Sequence, residues 1–110
     1  MRYKEVTNII RDIGLPSVYR SFPKDTAKSP PYIVYYYTGN NDLYADNINY
    51  QTIVNLRIEL YTREKEFEIE KHVESALTGA ELTYDKDEIY IDDEEMYEIV
   101  YESEVIINGE

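Results

Sequence analysis

The chain has 110 residues, 23 of them Asp or Glu against 11 Lys or Arg, and a formal charge of −12. Its length fits one domain around one core, and its charge excludes a protein that grips phosphate backbones through clustered basic residues. With no cysteine it has neither a disulfide framework nor a thiolate metal site, a composition that fits a reducing cytosol.

The N-terminus MRYKEVTNII is charged at once and lacks the apolar core and cleavage site of a signal peptide. No apolar run approaches the roughly 18–20 residues needed to span a membrane, so a soluble protein is expected. Tyr3, Val6, Ile9 or Ile10, and Ile13 recur at helical spacing and predict an amphipathic helix over residues 2–13, stopped by Gly14 and Pro16. SVYRSF then predicts a short strand, and PKDTAKSPP a proline-bounded loop whose end is pushed to extended geometry.

PPYIVYYYTG follows, with four tyrosines in six residues and on both parities of a strand. Tyr32, Val34, Tyr36 and Thr38 point one way, while Ile33, Tyr35 and Tyr37 point the other. Neither face reads as plain solvent. TGNNDLYADN, residues 38–47, is turn chemistry with Leu43 and Tyr44 stranded inside it, and predicts a loop that orders against a partner.

From Ile48 to Tyr61 one parity carries Ile48, Tyr50, Thr52, Val54, Leu56, Ile58 and Leu60, the pattern of a long, half-buried, antiparallel strand. Thr62 is placed to cap a second helix with a stripe of Ile69, Val73, Ala76 and Leu77 and a stop at Gly79, while Phe67 lies off that stripe. ELTYD and, after an acidic turn, EIYID predict two strands, and residues 96–107 a third and longer one. Its Tyr97, Ile99, Tyr101, Ser103, Val105 and Ile107 face the core, opposite Glu98, Glu102 and Glu104. The order predicts an α+β fold, a mainly antiparallel twisted sheet of about five or six strands with two helices packed against it.

Catalytic signatures are absent. The four glycines stand at 14, 39, 79 and 109, too dispersed for a phosphate loop or a dinucleotide fingerprint. His72, the only histidine, reads as a solvated helix residue beside Glu68 rather than a catalytic or zinc-binding group. DKDEIYIDDEE fails as a calcium loop, with Tyr90 where the turn glycine belongs, and reads as a hairpin with acidic ends. No serine has a nucleophile-elbow context, and no spacing selects a pair of carboxylates. No catalytic, cofactor-binding or metal residue is therefore assigned, and no cofactor is expected.

Tyrosines can stack single-stranded nucleic acid, but such platforms need a cationic groove, and Arg57 and Arg63 do not make one. Two readings of the tyrosine strand stand, ordinary sheet packing and an oligomer interface, because interfaces enrich tyrosine. Tyr35, Tyr37, Leu43 and Tyr44 are the candidate subunit interface.

FPKDTAKSPPYIVYYYTGNNDLYADNINY, the VNLRIELYTREKEFEIEKHVESAL unit and the YIDDEEMYEIVYESEVI ending resemble small tail proteins encoded by long-tailed phages and prophages of Gram-positive bacteria. These are the tail-terminator and tail-to-head joining proteins, and the resemblance covers nearly the whole chain. It implies a single non-enzymatic α+β domain that assembles as a ring, commonly a hexamer, at the head-proximal end of the tail. The implied partners are copies of itself, the major tail protein and the head connector, in the virion and in the host cytoplasm during assembly; DNA passes through the ring without sequence-specific binding. Glu98, Glu102 and Glu104 are then a candidate acidic channel face that repels phosphates, or a solvated outer face that guards against aggregation. The alternatives are a head-completion connector, a bacterial protein-binding adaptor that uses the same tyrosine face, and a small enzyme with an acidic pair.

Overall fold

Ser17–Tyr19, Tyr32–Asn40, Ile48–Thr62, Met96–Ile107 and Asp85–Ile91 lie side by side as strands in that order, and a sixth strand, Leu43–Ala45, pairs with Ile48–Thr62 farther along its length. The computed structural model describes residues 1–23, 29–45 and 48–109, with the backbone alone for residues 44, 45 and 48–50. The elements are α1 (Tyr3–Arg11), β1 (Ser17–Tyr19), β2 (Tyr32–Asn40), β3 (Leu43–Ala45), β4 (Ile48–Thr62), α2 (Phe67–Gly79), β5 (Asp85–Ile91) and β6 (Met96–Ile107). β1 runs parallel to β2, and every other pair is antiparallel. This is the α+β fold that the chain order predicts.

The period-2 pattern of β4 and β6 builds the core. Val54, Leu56, Ile58 and Leu60 meet Ile99, Tyr101, Val105 and Ile107 on one face of the sheet, and all are buried. Each such side chain contributes roughly 1.5–3 kcal/mol of burial. Both helices cover this face, α1 through Val6 and Ile10 and α2 through Val73 and Leu77. α1 ends as its sequence predicts, with Gly14 at φ +93°, a conformation that costs glycine little.

Three local expectations are corrected. Thr62 does not cap α2: it is the last residue of β4, 1% exposed, because the β4–β6 pairing continues to Thr62 opposite Tyr97. Gly79 is not the left-handed stop of α2. That conformation falls on Glu81 at φ 61°, where Glu81 N–H donates to the Thr78 carbonyl and Leu82 N–H to the Leu77 carbonyl, both at 3.0 Å. Leu82 packs on the core cluster that includes Leu77, so the hydrophobic contact that accompanies this motif sets the helix end two residues later than glycine would. ELTYD is not a separate strand. One strand, Asp85–Ile91, runs through the expected acidic turn, and the reversal occurs at Asp92–Glu94 with Glu95 at φ 51°.

The expected loop over residues 38–47 is also corrected, because most of it is strand. Gly39 and Asn40 pair with Asn55 and Val54 after a bulge at Thr38, and β3 then pairs with the first residues of β4. At the break between β2 and β3 the Asp42 carboxylate accepts the Ile53 N–H at 3.0 Å, in place of a backbone carbonyl. β6 reaches only to Thr52, so residues 43–51 have no neighbour on that side of β4 among the described residues. Residues 43–45 and 48–51 form a two-stranded arm on a molecule measuring 50 × 29 × 23 Å. Residues 46 and 47 of the expected loop, and 24–28 of the preceding one, lie outside the described residues.

Candidate assembly surface

The two parities of β2 go to two different places, and both are largely used inside the subunit. Tyr35 is 7% exposed and belongs to the core cluster. Its ring meets Tyr19 edge to face at 5.4 Å and its hydroxyl lies 3.4 Å from Thr7 Oγ1 of α1. Tyr37 is half-buried, with Tyr3 of α1 at 5.2 Å and Tyr19 at 5.9 Å, and burial pushes its phenol well above the ordinary range. Tyr35 and Tyr37 are therefore corrected as an exposed subunit patch. They are the seat of α1, because this parity of β2 is the helix-covered face.

Leu43, at the start of the arm, is 49% exposed, while the Tyr44 side chain lies outside the described residues. Phe67 stands 65% exposed at the start of α2, with Lys65 Nζ 4.9 Å from its ring centre. His72 is exposed on α2, beside a small apolar hollow formed by Ile13, Leu15 and Ile69.

The opposite face of the sheet carries no helix among the described residues. Its centre is Arg57, whose guanidinium lies 2.7 Å from Glu59, 3.0 Å from Glu102 and 3.7 Å from Glu98. Strand register makes this cluster: Arg57 sits opposite Glu102, Tyr61 opposite Glu98, and Glu59 lies two residues from both Arg57 and Tyr61 on the same strand. Tyr36 and Tyr61 each donate to Glu59 at 2.9 Å, and Tyr61 also reaches Glu98 at 3.2 Å. Tyr32 stacks on Tyr61 at 4.9 Å, and Arg20 lies over the ring of Tyr36 at 5.0 Å. Arg20, Phe22 and Pro23 form one wall of a hollow of about 430 Å³ whose floor is Tyr32, Tyr61 and Glu59.

One guanidinium thus serves three carboxylates, and their titration diverges. Burial pushes Glu59 up, but hydrogen bonds from Arg57, Tyr36 and Tyr61 outweigh it and hold the carboxyl below its ordinary value. Burial also pushes Glu98 up, and there the neighbouring Glu59 charge adds to it, so the carboxyl ends above its ordinary value despite Tyr61 and Arg57. The three glutamates of the expected acidic face, Glu98, Glu102 and Glu104, all lie on this helix-free side of the sheet, with partners of their own. The Glu98 side chain is 12% exposed and Glu102 is paired with Arg57 although 57% exposed, while Glu104 accepts from Asn41 Nδ2 at 3.3 Å.

A raised carboxyl pKa in the folded state is a cost of folding above that pKa and none below the unfolded value. Glu98→Gln is therefore expected to raise stability at pH 7, by up to about 1 kcal/mol. The gain fades as the pH falls through the raised folded value and is gone below the ordinary value of 4.5, where both states of Glu98 are protonated. Urea unfolding at pH 7 and pH 4 measures it, and a destabilised variant at pH 7 contradicts it.

A second ionic cluster joins the helix layer to the sheet edge. Glu70, in the first turn of α2 and 1% exposed, takes Lys65 Nζ at 2.6 Å and Lys86 Nζ at 2.9 Å. Lys65 also pairs with Glu88, and Lys86 pairs with Glu74 at 2.7 Å, which in turn accepts the Tyr101 hydroxyl at 2.8 Å. Sequence reasoning missed Glu59 and Glu70. Both fall at positions whose parity or helical phase reads as solvent-facing; Arg57, Tyr61 and Lys65 are near them in sequence, but Tyr36 of β2 and Lys86 of β5 reach them only through the tertiary fold.

Among the described residues no group of three or more His, Cys, Asp or Glu is arranged to hold a metal ion. Among them, too, no helix is long and apolar enough to cross a membrane. No protein-family model matches the chain, and no curated protein sequence matches it.

Proposed function

We propose that this chain is a non-catalytic structural subunit of a phage or prophage tail, a tail terminator or tail-to-head joining protein that assembles as a ring at the head-proximal end of the tail. The arm made by residues 43–45 and 48–51 carries the reading. A two-stranded ribbon is marginal in water on its own, and this one begins with an exposed Leu43. Such a ribbon gains order against a neighbouring subunit or the tail tube. The elongated shape and the helix-free ionic face, set opposite the helices, give the subunit the two different surfaces that a head-to-tail ring requires. The ring copies, the major tail protein and the head connector are its partners under this proposal.

Electron microscopy of particles lacking the gene tests it. Overlong tails beside free heads are the result for a terminator, and normal tails beside heads that leak DNA the result for a head-side connector; normal infectious particles would refute both. The arm has its own test. Replacing residues 43–51 by a two-residue Asn-Gly turn, which suits the antiparallel β2–β4 pair, should leave the far-UV circular dichroism of a folded sheet and abolish assembly. A shortened chain that still restores normal particles removes the arm from the mechanism.

A further inference from the structure

We infer that the carboxylate-rich face of the sheet receives the outer stripe of α1 from a second copy of this chain, a contact that rests on the ring reading above and names the surfaces that meet in it. On α1, Lys4, Asn8 and Arg11 are exposed at spacings of four and three residues and so form one stripe, while Val6 and Ile10 face the core. Glu5, Ile9 and Asp12 lie instead along the side toward the end of α2. Among the described residues neither Lys4 nor Arg11 forms an ion pair, although Arg57, Lys65 and Lys86 are each held by two or more carboxylates. Arg2, Arg20, Arg63 and Lys71 form none either, but Lys4 and Arg11 share one stripe of one helix, a local concentration of positive charge in a chain of charge −12.

The complementary surface lies on the other side of the sheet. Asp85 pairs in register with Glu102, and Glu104 follows two residues along β6 on the same face. These three carboxylates line a hollow of about 350 Å³ together with Thr38 and Asn55. Arg57 engages Glu102, and the other two have no cationic partner among the described residues. A hollow rimmed by carboxylates and amide or hydroxyl groups suits a guanidinium or ammonium group, which brings donors and positive charge. A nine-residue helix is about 14 Å long, short enough to lie on a sheet whose central strand has 15 residues.

The two patches are on opposite faces of one subunit, so a subunit cannot satisfy both by itself, and a two-fold dimer, which would have to form both contacts with the same partner at once, cannot present both faces to it. Repetition of the contact propagates head to tail and closes as a ring where its rotation permits. Tyr3, 40% exposed beside the stripe, supplies apolar area at its margin.

Charge reversal on both sides tests the contact. One variant carries Lys4→Glu and Arg11→Glu; the other carries Asp85→Lys and Glu104→Lys, which leaves all three carboxylates on Arg57 in place. Circular dichroism establishes that each is folded, and sedimentation velocity at low ionic strength reads the assembly. The wild type is expected to form an oligomer, each reversed chain alone to remain monomeric, and a 1:1 mixture of the two to reassemble. That mixture has the same mean charge as the wild type, so its recovery reports the paired patches rather than the net charge. Lys71→Glu, on the outer face of α2, changes net charge elsewhere and should assemble like the wild type. A monomeric wild type, a reversed chain that still assembles, or a mixture that fails to recover overturns the inference. If a reversed chain assembles and also restores normal tails, the ring reading stands and this contact alone falls. Normal particles without the gene remove the phage function while leaving the sedimentation result to judge the contact.

Discussion

Glu70→Ala should lower the unfolding free energy by about 3 kcal/mol, near the lower end of what the loss of one partner from a buried ion pair costs. The side chain is 2% exposed and accepts two ammonium groups from different parts of the chain, Lys65 before α2 and Lys86 on the edge strand β5. Alanine leaves a void at the helix–sheet junction and removes the carboxylate that both lysines share. The loss stays at the lower end because Lys65 keeps Glu88 and Lys86 keeps Glu74. Glu70→Gln, which fills the same space and still accepts one hydrogen bond, should cost about half as much. Urea unfolding with an unchanged denaturant slope is the measurement. A Glu70→Ala loss under about 0.5 kcal/mol would reduce the cluster to an exposed pair of little worth. In acid the difference narrows: burial raises the Glu70 carboxyl, the two lysines more than offset it, and the net depression means that its stabilisation is present above the unfolded value and is lost as the pH falls through the folded one.

How much of this was legible in the sequence depends on whether a feature is local. The alternation from Ile48 to Tyr61 and from Met96 to Ile107 is a property of neighbouring residues, and it placed β4 and β6 and chose their buried faces. The helix stop at Gly14 was legible for the same reason. Glu81 was not, because its left-handed conformation is set by Leu82 reaching the core, whereas Gly79 only resembled a stop. The tyrosines of β2 were legible as a two-faced strand. What each face met was hidden: Tyr35 and Tyr37 needed the position of α1, and Tyr32 and Tyr36 needed Tyr61 and Glu59, roughly 25 residues along the chain and brought near by antiparallel pairing. The arm was read as a loop because Asn, Asp and Gly dominate it, yet Asp42 uses the very chemistry that marks turns to bridge a break in strand pairing.

Glu59→Ala is expected to cost about 2 kcal/mol at pH 7, through the loss of charge-assisted hydrogen bonds from Arg57 and two phenols. Arg57 retains Glu98 and Glu102, and Tyr61 retains Glu98, so the variant strands only the hydroxyl of Tyr36. The folded-state carboxyl of Glu59 lies below its ordinary value, so its contribution is fully present above 4.5 and disappears as the pH drops through the folded value. The difference between wild type and Glu59→Ala should accordingly shrink below that pH. Glu98→Gln has the opposite sign at pH 7, since its carboxyl is raised by burial and by the Glu59 charge. The two effects are coupled through that charge. In the Glu59→Ala background Glu98 has lost its nearest like charge and shares Arg57 with one carboxylate fewer, so Glu98→Gln should turn from a gain into a loss. A double-mutant cycle at pH 7 measures this, and additive effects within about 0.3–0.5 kcal/mol would mean that the two carboxylates do not share the guanidinium energetically. Neither residue lies on the outer stripe of α1 or among the carboxylates of the hollow at Asp85, so the cycle reports the stability of the sheet face separately from assembly.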